Sequence, residues 1–265
     1  MTGAVTRQQS SVKRYRDLAK NAHAGGLDRE VLLDGVHLLA EARASGVPID
    51  SAAFDHVALE RPDARHLAEK LTADGTEVLI VSRKVLESMS PVKTPSGVVG
   101  IARRSMSPLH AALGHPSSLV VIAHDIQDPG NVGALVRTAE AAGATAFVAC
   151  GATADALSWK ALRGSMGSGL RVPMARAGIG ETIQACRTAG LRIAAITTRE
   201  GTSLFASDLR PPTAILLGSE GAGLPETLLQ QADLRVSIPM TGRVESLNVS
   251  VAAALVLYEA FRQRS

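Results

Sequence analysis

The chain has 265 residues, 46% of them apolar and only 3% aromatic, so any core must be built from Val, Leu, Ile and Ala. That length suits one large domain or two ordinary ones, and aliphatic richness of this kind suits parallel strands buried on both faces. A formal charge of +3 and a pI near 9.1 fit a polyanionic partner but do not choose one. Cys150 and Cys186, the two cysteines, lie far apart and outside any CxxC spacing. This disfavours a disulfide framework and a zinc site, and suits a reducing compartment. The opening "MTGAVTRQQSSVKRYRD" lacks the apolar stretch of a secretory signal, and no run approaches membrane-spanning length. A soluble, cytoplasmic protein without a membrane or metal requirement is expected.

In chain order, "SSVKRYRDLAK" predicts a basic helix. "EVLLDG" then reads as a short strand, followed by a helix carrying Val36, Leu38, Leu39 and Ala42. The pattern recurs in "FDHVALE", "ARHLAEKLTADG", "EVLIVSRKVLESMS" and "GVVGIARR", giving a small α/β domain over residues 10–104. "RRSMSPLHAALGHPSS" breaks the periodicity with two prolines and small polar residues, so 105–117 reads as a linker. From residue 118 onward strand and helix signals alternate. "SLVVIAH", "ATAFVAC", "LRIAAIT", "TAILLGSE" and "LRVSIPM" read as strands; "NVGALVRTAEAAG", "DALSWKALRGSM", "ETIQACRTAG", "ETLLQQA" and the final stretch read as helices. The expected fold class is α/β, with a mostly parallel sheet covered on both faces over 118–265.

Open parallel sheets bind ligands beyond the carboxyl ends of their strands. Three such ends carry polar, glycine-bearing turns: "HDIQDPGNVGALVRT" (124–138), "LLGSEGAGLP" (216–225) and "IPMTGRVESLN" (238–248). Gly218, Gly221 and Gly223 let a backbone approach a ligand closely. Their pattern is not GxGxxG and lies late in the domain, which disfavours a nicotinamide or flavin enzyme; "GSMGSG" (164–169) lacks the Lys-Ser/Thr of a P-loop. Ser246 is expected to cap a helix beginning near Leu247. Capping leaves Asn248, Arg243 and Glu245 unexplained, whereas a polar turn facing a ligand explains all three. Asn131 lies at or just before a helix start, with Arg137 about 120° further round the axis. Asp125 and Asp128, in the same loop, are candidates to hold an arginine.

Together, "DPGNVGALVRTAEAAGA", "LLGSEGAGLP" and "IPMTGRVESLNVSVAAAL" resemble, in order and spacing, the three signature motifs of the SpoU (TrmH-like) RNA 2'-O-ribose methyltransferases of the SPOUT class, over residues 118–264. "LLDGVHLLAEA" and "SPVKTPSGVVGIARR" resemble, more weakly, the L30e-like substrate-binding domain found in many members, and thiostrepton-type resistance methyltransferases share the two-domain plan. The resemblance implies a deep trefoil knot, a homodimer with the site at its interface, and an S-adenosylmethionine pocket that needs no metal. Thr197, Leu217, Gly218, Ser219, Gly221, Ile238, Met240 and Leu247 would line that pocket. Asn131 would orient the nucleotide, and Glu220, Ser246 and Asn248 would complete a polar wall, with Glu220 the candidate proton acceptor. Arg137 matches the family's motif arginine. An arginine is effectively always protonated, so alkoxide stabilisation suits it better than the role of base.

RNA contacts are expected at Arg163 by the same resemblance. Lys13, Arg14, Arg16, "SRK" (82–84) and "ARR" (102–104) supply cations for phosphates. Scarce aromatics argue against base stacking and for recognition of a folded RNA's shape. Ribosomal RNA is the expected substrate. The alternatives are transfer RNA, base methylation by a knotted relative, and a non-catalytic knotted RNA-binding or antibiotic-resistance accessory protein.

Overall fold

Residues 2–20, 28–115, 118–198, 200–242 and 244–265 are described in a computed structural model. They form two units, Met1–Ser105 with Leu157–Arg171, and Met106–Ala156 with Val172–Ser265. The first runs α1 (Thr2–Lys20), β1 (Asp28–Asp34), α2 (Val36–Ala44), β2 (Ile49–Asp55), α3 (His56–Glu60), α4 (Pro62–Ala73), β3 (Glu77–Val81), α5 (Arg83–Met89) and β4 (Val98–Ser105). Its four strands lie in the order β1-β4-β2-β3, with β4 antiparallel to both neighbours and β2 parallel to β3. Tyr15 pins α1 to this sheet. It is fully buried among Leu32, Ala53, Leu86 and Ile101, and its hydroxyl meets Ser51 Oγ at 2.9 Å. Burial pushes that phenol's pKa upward, so it stays neutral.

The chain then enters the second unit through α6 (Leu109–Ala112), β5 (Leu119–His124), α7 (Pro129–Ala141) and β6 (Ala146–Cys150). It leaves for α8 (Trp159–Ser165) and α9 (Ser168–Arg171), which belong to the first unit. It returns with β7 (Met174–Arg176), α10 (Ile179–Thr188), β8 (Arg192–Thr197), β9 (Thr202–Ser203), β10 (Thr213–Leu217), α11 (Glu226–Leu229), β11 (Leu234–Ser237) and α12 (Val249–Arg264). The seven strands are ordered β7-β6-β5-β10-β8-β11-β9, and every pairing is parallel. β6 and β10 are buried along their whole length, as continuous aliphatic strands must be when helices cover both faces.

Two stretches differ from the sequence reading. Residues 157–171, placed there within 118–265, pack instead on the first unit, where Trp159 joins the cluster around Tyr15. Apolar periodicity marks a helix but does not say which core receives it. The stretch read as a linker contains α6, and Ala112 and Leu113 are buried in the second core. Strands β7 and β9, of three and two residues, are too short to announce themselves by alternation. Among the described residues, no helix is long and apolar enough to cross a membrane.

Candidate active site

The order β5-β10-β8-β11 puts four parallel strands side by side, so their carboxyl ends open onto one edge of the sheet. From that edge spring the start of α7 after β5, the turn after β10, Thr197 at the end of β8, and the loop after β11. This is where a parallel sheet has unoccupied main-chain groups to offer a ligand. A cavity of about 600 Å³ lies there, within the usual range for small-ligand sites. Thr197, Leu217, Gly218, Ser219, Gly221, Ile238, Met240 and Leu247, the eight residues expected to hold a cofactor, all line it, as do Glu220 and Ser246.

The cavity wall is partly main chain. Gly223 adopts φ +68° and its N–H bonds to Ser219 O at 3.0 Å, folding the turn back on itself. A Cβ on Gly218 would lie 2.4 Å from the Gly223 carbonyl carbon and 2.6 Å from Leu224 N, so only glycine fits there. Sequence reasoning missed several lining residues, among them Ile196, Glu200, Glu226 and Arg235. Arg235 donates to Glu226 Oε1 at 2.9 Å and to Leu229 O at 3.2 Å. Glu200 carries φ +52° in a fourth polar strand-end turn; its single glycine, Gly201, gave too weak a signal beside the three richer turns.

Beside the cavity the three quoted turns meet. Asn131 Nδ2 donates to Glu220 Oε1; Asn248 Nδ2 donates to Asn131 Oδ1 at 3.3 Å and to Glu220 Oε1 at 3.4 Å. The three residues are 28 to 117 positions apart in sequence. Two expectations are corrected here. Ser246 does not cap the last helix: α12 begins at Val249, and Asn248 is its cap, accepting from Ser250 N at 2.9 Å. Asn248 thus both caps a helix and faces Glu220. Asn131 lies within the first turn of its helix and not at or before the start, because α7 begins at Pro129 and Asp128 caps it by accepting from Gly130 N at 2.9 Å. Asp125 accepts from Ala152 N at 2.7 Å and lies 3.2 Å from His124 Nε2.

Arg137 lies on the exposed side of α7, outside the Asn131–Glu220–Asn248 cluster and not along the cavity wall. Arg163 is exposed on α8, in the first unit. Lys13 is exposed as expected, whereas Arg16 donates to Ser88 Oγ at 2.8 Å. Arg14 is mainly an internal tie. It binds Glu30 and Asp50, and the hydrogen bond to Glu30, ahead of its other charge contacts, raises the guanidinium pKa. Arg243 lies outside the described residues.

Residues 118–258 match the SpoU rRNA Methylase family, and residues 9–100 match the MRM3-like substrate binding domain. This chain belongs to the SpoU rRNA methylase family. Membership carries S-adenosylmethionine-dependent methyl transfer to an RNA ribose 2'-hydroxyl. A 23S rRNA guanosine 2'-O-methyltransferase of Bacillus subtilis is 29% identical over 86% of each chain. A 23S rRNA uridine 2'-O-methyltransferase of Streptomyces viridochromogenes is 29% identical, over 98% of this chain and 92% of its own. The crystal structure of an S-adenosylmethionine-bound rRNA methyltransferase from Sinorhizobium meliloti superposes with a TM-score of 0.83 at 32% identity, covering 95% of this chain and 94% of that one.

The residues present fit that cofactor. Gly218 leaves a cradle that any side chain would fill. The surrounding wall combines apolar residues such as Leu217, Ile238 and Leu247 with Gly218, Gly221 and Gly223, a lining suited to a flat, mainly apolar ligand such as adenine. The pieces that the family's trefoil knot would use, loops 218–225 and 238–248 and helix α12, all lie in the second unit.

Proposed function

We propose that this protein methylates a ribose 2'-hydroxyl of ribosomal RNA, with Glu220 as proton acceptor and with Asn131, Arg137, Ser246 and Asn248 around the reacting sugar. The observation that carries this is the meeting of Asn131 and Asn248 with Glu220, a residue that lines the glycine-cradled cavity. When bound there, S-adenosylmethionine supplies a methyl group on a sulfonium, for which the ribose oxygen is the acceptor. Gly218, Leu217, Ile238 and Leu247, which line the cavity, would hold the cofactor. Glu220 takes the hydroxyl proton as the oxygen acquires its methyl, and later returns it to water. Asn131 and Asn248 keep the carboxylate in place by donating to one of its oxygens. Arg137, permanently charged, steadies the developing alkoxide and the neighbouring phosphate.

Arg137 stands apart from the cluster of its own chain, and this supports a homodimer in which one copy lends it to the other. The partner surface is α12. Val251, Leu255, Tyr258 and Phe261, at spacings of four, three and three, stay 44% to 51% exposed on a helix whose other side is buried. A contiguous apolar stripe of this kind suits a second copy of the chain. The first unit, which matches a substrate binding domain, would dock the RNA. A non-catalytic role is disfavoured because the proton acceptor, its amide partners and the cofactor cradle are all intact. The 23S relatives favour ribosomal over transfer RNA. Incubation with labelled S-adenosylmethionine and separated ribosomal and transfer RNA, followed by mapping of blocked 2'-hydroxyls, tests the reading. Label confined to a ribose of 23S rRNA is expected; label on a base, or none on any RNA, overturns it. Leu255→Glu is expected to give a monomer that binds the cofactor but transfers no methyl.

A further inference from the structure

Ser250 holds both asparagines that face Glu220. It is the second residue of α12 and is half-buried. Its N–H donates to Asn248 Oδ1 at 2.9 Å, and its hydroxyl lies 3.3 Å from Asn131 Oδ1 and 3.3 Å from Asn131 O. A carboxamide is nearly symmetric in shape, so only its hydrogen-bond partners decide which end carries oxygen. For Asn131 the choice matters. With the NH2 toward Glu220 it supports a carboxylate; turned over, it would press a carbonyl oxygen against that carboxylate. Donation to Oδ1 from the Ser250 hydroxyl, together with that from Asn248 Nδ2, favours the supporting orientation. The backbone N–H of the same residue does so for Asn248, fixing its oxygen and turning its NH2 toward Asn131 Oδ1 and Glu220 Oε1.

The consequence falls on Glu220. Both amides donate to Oε1, and no hydrogen bond among the described residues engages Oε2. We propose that Ser250 is a positioning residue for the transfer step: through Asn131 it fixes Glu220 so that Oε2 is the free acceptor turned to the ribose proton. This rests on the reading of Glu220 as proton acceptor given above. The side-chain hydroxyl acts on Asn131 alone, because the cap at Asn248 uses the main chain. Removing the hydroxyl therefore leaves the helix start intact.

Ser250→Ala tests this in the full-length protein. The expected result is a fall in kcat of about 10-fold, the size typical for loss of a group that orients a reacting one, with cofactor affinity by calorimetry within about twofold of the parent. Among the described residues Asn131 Oδ1 then keeps only Asn248 Nδ2 as a donor, so its amide is held less firmly, and the loss falls on kcat with KM for RNA unchanged. In an Asn131→Ala background Ser250→Ala adds nothing further, because the two residues act as one unit. Ser250→Thr keeps the hydroxyl and recovers most of the rate. Unchanged kcat in Ser250→Ala, a rise in KM in place of a fall in kcat, or a loss that adds to that of Asn131→Ala, overturns the proposal. A lower melting temperature with unchanged kcat does so too, since it makes the contact a structural tie. If the parent protein itself methylated no RNA, the function proposed above would fail instead, and calorimetry would still report whether the cavity takes its cofactor.

Discussion

Arg14 and Arg83 in the first unit use their positive charge differently from Arg137 in the second. In the first, Arg14 pairs with Glu30 and Asp50, Arg103 reaches the same Asp50 at 3.0 Å, and Arg83 lies 2.9 Å from Asp55, a carboxylate only 1% exposed. Asp55 also caps α3 by accepting from Ala58 N at 2.6 Å, so Arg83 ties a helix start to the sheet. In the second unit, by contrast, Arg137 is exposed, and no hydrogen bond or ion pair among the described residues holds it. The same side chain thus serves the fold in one place and is left available for a ligand in the other. A basic run predicts a polyanion surface only where its charges are not already spent on carboxylates next to them in space.

Arg137→Ala would test the available side of this contrast and carries the largest expected effect. Methyl transfer should fall about 10² to 10³-fold, as when a donor to a developing oxyanion is removed, with cofactor binding by calorimetry unchanged. A loss below about threefold would make Arg137 an ordinary solvated arginine. Gly218→Ala tests the cradle. Its new methyl has only main chain within 2.6 Å to displace, and main chain cannot step aside as a flexible side chain can. Destabilisation by about 1–3 kcal/mol is expected, together with a calorimetric loss of cofactor affinity; unaltered binding would put the cofactor elsewhere.

Arg14→Gln and Lys13→Gln sharpen the comparison from the other side. Arg14→Gln leaves Glu30 without its nearest cation and should cost up to about 1 kcal/mol in urea denaturation, the range for a partly exposed ion pair, with RNA affinity unaltered. Lys13→Gln should leave stability alone, weaken RNA binding, and reduce the salt dependence of that binding by about one phosphate contact. The reverse pattern would mean that sequence, not pairing, decides which cations meet RNA.

Much of the second unit could be read directly from the chain, because parallel strands buried on both faces leave continuous aliphatic runs: β5, β6, β8, β10 and β11 all fall where such runs lie. The three polar turns were legible for the complementary reason, that glycines and amides interrupt apolar sequence only where a backbone must bend or face a ligand. What was hidden depends on distance in space. Arg14 finds its carboxylates 16 and 36 residues away, which no local window contains. Trp159 reads as a core residue of either unit, and only tertiary packing gives it to the first. Ser246 and Asn248 are both good caps two residues apart, and the choice turns on where the loop after β11 has room to start a helix. Ser250 carries no signal within its own apolar helix, because its hydroxyl's partner, Asn131, lies 119 positions earlier.

The smallest expected effect concerns the last turn of α12 and depends on pH. Glu259 accepts from Arg262 Nε at 2.8 Å and Nη2 at 2.7 Å, and from Gln263 Nε2 at 2.8 Å. These bonds, Arg262 first, pull its pKa from 4.5 down to about 2. Gln263 in turn accepts from Leu209 N at 2.7 Å and donates to Ser207 O at 2.9 Å, so the carboxylate backs a clasp between the chain's final helix and the loop before β10. A carboxylate whose pKa is lower folded than unfolded stabilises the fold fully above the unfolded pKa, and that stabilisation fades as pH drops through the folded one. The pH window is therefore about 4.5 down to about 2. Arg262 is 70% exposed, so solvent screening keeps the contribution small. Urea midpoints measured across this window should place Glu259→Gln below the parent at neutral pH, with the two curves converging near pH 2. An offset equally large at both ends would mean that the clasp is held by the shape of the side chain and owes nothing to its charge.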